Sequence, residues 1–254
     1  MKMKIRIVLI LGLFTIFSGC KSSSEKTSKL RIGQFLFSES PVEVSFSKKA
    51  ESISNKSLEY GKLTDYENFE PGTYSVEIKN SGKLLLKKKI GIGTDGRYTL
   101  IINGIPKENQ KTNEKTANMK LHEIVEGEEA IYANGNLPQM RVINDEFEVG
   151  KEEAKIRWVH LAAGITEISG ETKANAEEAK SLSKLTYPKI SKNFAVALKE
   201  QEVTWKLKGG KVAVATEKIN PKPRYLYTCF IIGNKNKYLD SLKVVVGETP
   251  KKGF

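Results

Sequence analysis

A chain of 254 residues with 39% hydrophobic and 28% charged residues has a globular composition, with length for one large domain or two of ordinary size. The net charge of +12, mostly lysine, admits nucleic acid, an anionic membrane or a polyanionic glycan as partner. The plainer reading is a lysine-rich, solvated β surface with guarded sheet edges, and apolar residues in short β-branched runs rather than helical stripes point to an all-β fold.

Taken in order, Met1 to Cys20, MKMKIRIVLILGLFTIFSGC, opens with three cations and continues through a short apolar run to small residues before a cysteine. This is the pattern of a secretory signal peptide over residues 1–19. The run is shorter than the roughly 20 residues a spanning helix needs. Phe17-Ser18-Gly19-Cys20 resembles the bacterial lipobox, departing from it at Phe17, where Leu is usual. That resemblance implies a lipoprotein whose mature N-terminus is acylated Cys20. Each buried methylene contributes about 0.8 kcal/mol, so two or three acyl chains hold the chain on a lipid bilayer. Lys21 follows the cysteine where an Asp would favour inner-membrane retention, so the outer membrane is the expected location. Export conflicts with a nucleic-acid partner. The lipidated cysteine and the polar residues to Ser28 form a flexible tether, residues 20–28.

From Lys29 the pattern becomes strands. LRIGQFLF, VEVSFS, TYSVEIK, the stretch from Lys83 to Ile92 and YTLIING are separated by turn signals such as Glu70-Pro71-Gly72-Thr73 and Asn80-Ser81-Gly82. The Lys87-Lys88-Lys89 run reads as an edge or a turn. Pro106 to Asn118 is a long polar loop, and KLHEIVEG, from Lys120 to Gly127, reads as the closing strand. These elements define a first β-sandwich over residues 29–127, followed by an acidic, turn-rich junction, 128–153, holding one strand, MRVIND.

The second half repeats the first. Tyr227 to Gly233, YTCFIIG, lies 129 residues after Tyr98 to Gly104, and IRWVHL, from Ile156, repeats LRIGQF at an offset of 126. KIRWVHL, TEISGET, EVTWKLK and KVAVATEKI follow the order of the first half. SLKVVVGE resembles KLHEIVEG, and Ala174 to Ser183, ANAEEAKSLS, reads as a helix-prone insertion. The second sandwich spans 154–248, with a tail at 249–254. Strands of this length between regularly spaced turns predict two tandem immunoglobulin-like antiparallel β-sandwich domains.

EPGTYSVEI with YTLIING, and AKIRWVHLA with YTCFIIG, are similar to a bacterial domain family of unknown function, number 4397 in the usual series. The likeness covers roughly residues 29–127 and 154–248. It implies an immunoglobulin-like sandwich in an extracytoplasmic protein and carries over no catalytic residue. Leu161-Ala162-Ala163-Gly164 departs from the family pattern after His160, and Gln34 stands where a His would be.

Candidate chemistry is sparse. His122 and His160 lack a second ligand at metal spacing, so no zinc site is expected, and His160 reads as a structural residue at a strand edge. Cys229 occupies the core face with Tyr227 and Ile231, and with Cys20 acylated no disulfide forms. The acidic groups Glu126, Glu128 and Glu129, and Asp145, Glu146 and Glu148, read as solvated loop charge rather than a calcium loop. Trp158, Trp205, Tyr66 and Tyr187 could stack on a sugar ring, though core positions suit them better. No cofactor is implied. The expected protein is a non-catalytic binding or structural module of the envelope, partnered by another envelope protein or by an anionic glycan or host matrix component. An envelope hydrolase stands last. The divergent regions, 106–118, 127–153 and 174–183, are where activity is expected.

Overall fold

The computed structural model describes residues 27–106, 137–174, 180–208, 210, 213–234 and 242–253. These form an all-β protein of four sheets. The first half contains β1 (Ser28–Leu36), β2 (Val42–Lys48), β3 (Glu51–Leu58), β4 (Lys62–Leu63), β5 (Glu67–Phe69), β6 (Gly72–Asn80), β7 (Lys83–Ile92), β8 (Arg97–Gly104) and β9 (Gln139–Asn144). The second contains β10 (Ala154–Ala163), β11 (Glu167–Ala174), β12 (Lys180–Thr186), β13 (Phe194–Val196), β14 (Gln201–Leu207), β15 (Ala213–Ile219), β16 (Tyr225–Asn234) and β17 (Lys243–Pro250).

In the first half, β4-β1-β8-β9, with β5 also on β1, faces β3-β2-β6-β7. Val42, Val44 and Phe46 of β2 and Tyr74, Val76 and Ile78 of β6 meet Leu30, Ile32, Leu100 and Ile102 in one core. The period-two alternation on β2 and β6 places one face inside and one in solvent. The second half repeats the plan, with β13-β10-β16-β17 facing β12-β11-β14-β15 around Trp158, Trp205, Tyr227 and Cys229. The strand register repeats too: Leu30 pairs with Tyr98 and Ile156 with Tyr227. The ladders are antiparallel except β1 with β8 and β10 with β16, which run parallel.

Those two parallel pairs are buried on both faces, which accounts for their nearly continuous apolar sequences. One face of each serves its own core. The other forms a third core between the two halves, where Phe35, Ile101 and Ile143 meet Val159, Leu161, Phe230 and Ile232. Phe35 and Phe230 sit with ring centroids 4.9 Å apart. The protein is thus four stacked sheets, with the two parallel-paired sheets innermost.

Several boundaries move. Ser28, placed in the tether, is buried within β1, where its hydroxyl donates to the Gly93 carbonyl and accepts from the Gly96 N–H at 3.0 Å. Gln139–Asn144, assigned to the junction, pairs along β8 and contributes Met140 to the first core, because its apolar residues complete that sheet. Asn144 opposes Tyr98 as Glu248 opposes Tyr227, so β9 is the counterpart of β17. KLHEIVEG lies outside the described residues. Thr249 and Pro250, placed in the tail, belong to β17, and Thr249 is buried. Ala174 ends β11, and 180–186 is edge strand β12. Sheet pairing overrides the helical propensity of ANAEEAKSLS in its described part.

Candidate functional site

Three groups of side chains carry chemistry. The first lies between the inner sheets. Asp145, 0% exposed, receives the Arg157 Nη2 at 2.5 Å, the Tyr66 hydroxyl at 2.8 Å and the Thr99 hydroxyl. Arg31 approaches the same carboxylate at 3.8 Å and donates to Thr99 Oγ1, to the Glu248 carbonyl and to Thr249 Oγ1. Arg157 matches it, donating to Thr228 Oγ1 and to the Asn144 carbonyl. Each arginine thus reaches from the first strand of its own half to the last strand of the other half. Solvated loop charge is therefore wrong for Asp145: the short β9 brings it between two guanidiniums, where a buried carboxylate must be paired. Burial pushes the Tyr66 phenol far above its ordinary range, with Asp145 adding to the rise and Arg31 and Thr249 opposing it. This cluster is an internal fastening, sealed from ligand.

The second group is His160 and Cys229. His160 is fully buried on a central strand, not at an edge, because the segment from Tyr187 to Ser191 runs along β10 and its Lys189 carbonyl accepts the His160 N–H. Its Nδ1 accepts the Ala162 N–H at 3.3 Å, as Gln34 Oε1 accepts the Leu36 N–H at 3.1 Å in the first half. The ring packs edge-on to Tyr187, whose hydroxyl accepts a hydrogen bond from Asn103 across the interface. Burial lowers the imidazole pKa to about 4, outweighing a backbone interaction with Ile165. Cys229 is a buried free thiol pushed up to about 12, by burial first and Glu217 second. A neutral imidazole and a protonated thiol packed in cores are poor acid–base or nucleophilic groups.

The third group opens to solvent. At one edge of the second sandwich, between β12 and β13, a cavity of about 490 Å³ has Trp158, Leu185, Ile190 and Phe194 as its apolar lining. Lys184 and Lys192 stand on the same lining with Ser181, Ser191 and Asn193. The Ser191 hydroxyl accepts the Trp158 N–H at 2.9 Å and anchors the loop beside it. Trp158 Nε1 is buried without a hydrogen-bond partner. Lys184 holds Glu167 at 3.0 Å and depresses its carboxyl below the usual range, with Lys208 also contributing. Behind the cavity, Gly170 lets the two indoles approach: a Cβ there would lie 2.8 Å from the Trp158 ring and 3.0 Å from Trp205.

The corresponding edge of the first sandwich is built otherwise. Glu67 opposes Leu30 as Phe194 opposes Ile156, and Lys56 opposes Val44 as Leu182 opposes Gly170. Lys56 and Glu67 meet at 2.5 Å, a largely exposed ion pair that blunts the edge. In the second half both charges are replaced by apolar residues.

No protein-family model and no curated protein sequence matches the chain. Solved structures do. A family 26 carbohydrate-binding module of Eubacterium rectale Amy13K, in complex with maltoheptaose, aligns over 89% of this chain and 98% of its own, at 8% identity and TM-score 0.25. A proposed cell-adhesion protein of Bacteroides ovatus aligns over 88% and 95%, also at 8% and 0.25. The TIE protein of Bacillus anthracis aligns over 82% and 50%, at 9% and 0.24. Likeness at these scores carries no inference about ligand or activity.

Of the remaining sequence candidates, Cys20, His122, Glu126, Glu128 and Glu129 lie outside the described residues. Glu146 is exposed and Glu148 pairs with Lys251 at 2.9 Å. Trp158 and Trp205 are fully buried and stack edge-on at 5.0 Å, so neither presents a face to a sugar. Tyr66 and Tyr187 are spent on the interface. Among the described residues no three His, Cys, Asp or Glu side chains converge as a metal site. Aligning the two halves residue by residue exposes the missed edge, where a Lys and a Glu give way to Leu182 and Phe194.

Proposed function

We propose that this protein is a lipid-anchored, extracytoplasmic binding module of the bacterial envelope, held through acylated Cys20 with the outer membrane favoured, and that the open edge of the second sandwich is its binding site. The exchange of an ion pair for apolar residues around a ligand-sized cavity supports this reading. Among the described residues the lining is apolar side chains with serine, asparagine and lysine, groups that suit capture. The surface lysines give less support to a polyanion receptor, since Lys48, Lys87, Lys206, Lys218 and Lys222 each pair with a glutamate. Cross-linking with mass spectrometry in the native envelope tests the module: cross-links should concentrate on residues 181–194, and cross-links confined to the first sandwich would refute the site. Cys20→Ala tests the anchor; normal maturation with retained membrane association would refute lipidation.

A further inference from the structure

The ligand class follows from the lining, and this inference rests on the binding-module reading. A site of about 490 Å³ lies within the roughly 300–1,000 Å³ of small-molecule pockets. At about 30 Å³ per water-sized unit it holds on the order of sixteen such units, a medium-length hydrocarbon rather than a polymer. The floor of Trp158, Leu185, Ile190 and Phe194 favours an apolar body. A pyranose chain would want an exposed aromatic face, and Trp158 presents none.

Among the described residues, the charged groups on the lining are both cations. Lys192 is exposed and has no ionic partner among the described residues. Lys184 shares the carboxylate of Glu167 with Lys208, which lies 3.7 Å from it, so among the described residues the local balance stays positive. Glu67, whose counterpart would put a negative charge at the rim, is replaced by Phe194. We infer that the edge cavity of the second sandwich binds a small amphiphilic anion, an alkyl carboxylate whose chain lies on Leu185, Ile190 and Phe194 and whose head is held by Lys184 and Lys192. The apolar body supplies affinity, while two flexible lysines set the sign of the head.

The test uses the full chain in phospholipid nanodiscs, photolabelled with a diazirine derivative of decanoate, with labelled peptides mapped by mass spectrometry. Saturable label should concentrate on residues 181–194 and be displaced by unlabelled decanoate. Decanol and decyltrimethylammonium should compete at least tenfold less well. Phe194→Glu should abolish site labelling. Lys184→Glu with Lys192→Glu, both on the surface, should weaken it at least tenfold while leaving the melting curve in place. Equal competition by decanol, label spread over the chain, or label indifferent to the two charge reversals would overturn the inference. So would displacement by a heparin-derived oligosaccharide or an acidic peptide in preference to decanoate. Cross-links that still map to this edge while decanoate fails would sink the ligand class and leave the binding module standing; a Cys20→Ala result against lipidation leaves the labelling outcome untouched.

Discussion

At one edge of the first sandwich Lys56 reaches Glu67, while at the same edge of the second Leu182 and Phe194 hold those positions. Inward from that edge, Ile32 and Ile78 of the first core become Trp158 and Trp205, and Val44 becomes Gly170 to receive them. The copies thus keep pairing register and differ in how the edge is finished. A guarded edge keeps strands from pairing with other chains, whereas an apolar one invites a ligand. The difference teaches that, among the described residues, the two copies part at a strand edge while keeping their core register.

The largest expected effect concerns what the halves share. Asp145→Ala leaves two buried guanidiniums without their carboxylate and should cost about 3 to 5 kcal/mol, read as a lower denaturant midpoint. Thr249→Ala, at the matching position on β17, removes one hydrogen bond from the Arg31 guanidinium and one with the Tyr66 hydroxyl but leaves the carboxylate in place, and should cost about 2 kcal/mol. Similar losses for both would show that the cluster is not organised around Asp145.

His160 separates the halves by pH. Its folded pKa of about 4 lies below the ordinary 6.5, so the unfolded chain takes up the proton first as pH falls. The stabilisation is complete above pH 6.5 and disappears towards pH 4, a loss of roughly 3 kcal/mol over that window. His160→Gln, which copies Gln34, should flatten the profile, and an unchanged acid slope would remove His160 as its cause.

Gly170→Val copies Val44 of the first half but drives a side chain into two indoles. It should cost about 1 to 3 kcal/mol and change tryptophan fluorescence, since both tryptophans pack there. Full stability in this variant would mean that the indoles have room elsewhere.

The smallest effect on stability tests the edge itself. Leu182→Lys with Phe194→Glu places the first sandwich's pair of charges at the matching positions of the second and should cost about 1 to 2 kcal/mol, mostly the lost packing of Phe194 against Trp158, because such exposed pairs contribute little themselves. Labelling by the decanoate probe should nevertheless vanish. Retained labelling would show that the cavity does not depend on the open edge.

How much was legible divides along one physical line. Period-two alternation on VEVSFS and TYSVEIK, and the recurrence of YTLIING as YTCFIIG, depend on neighbours in sequence, and they specified strands, the all-β class and the core positions of Trp205 and Cys229. The continuous apolar runs of β1 and β10 also held a signal, burial of both faces, that reads as a second packing surface only once the opposite sheet is known. Asp145 looked like loop charge because its partners, Arg31, Tyr66 and Arg157, are remote in sequence or on the other half of the molecule. His160 looked like an edge residue because the strip at Tyr187–Ser191 that covers its strand carries no strand pattern of its own. The amino-acid sequence by itself determined the strands, their facing and the duplication, since these follow from local periodicity and repetition. Only the tertiary structure decided which charges are buried and which edge is open, because desolvation and closure depend on what the chain brings from far away.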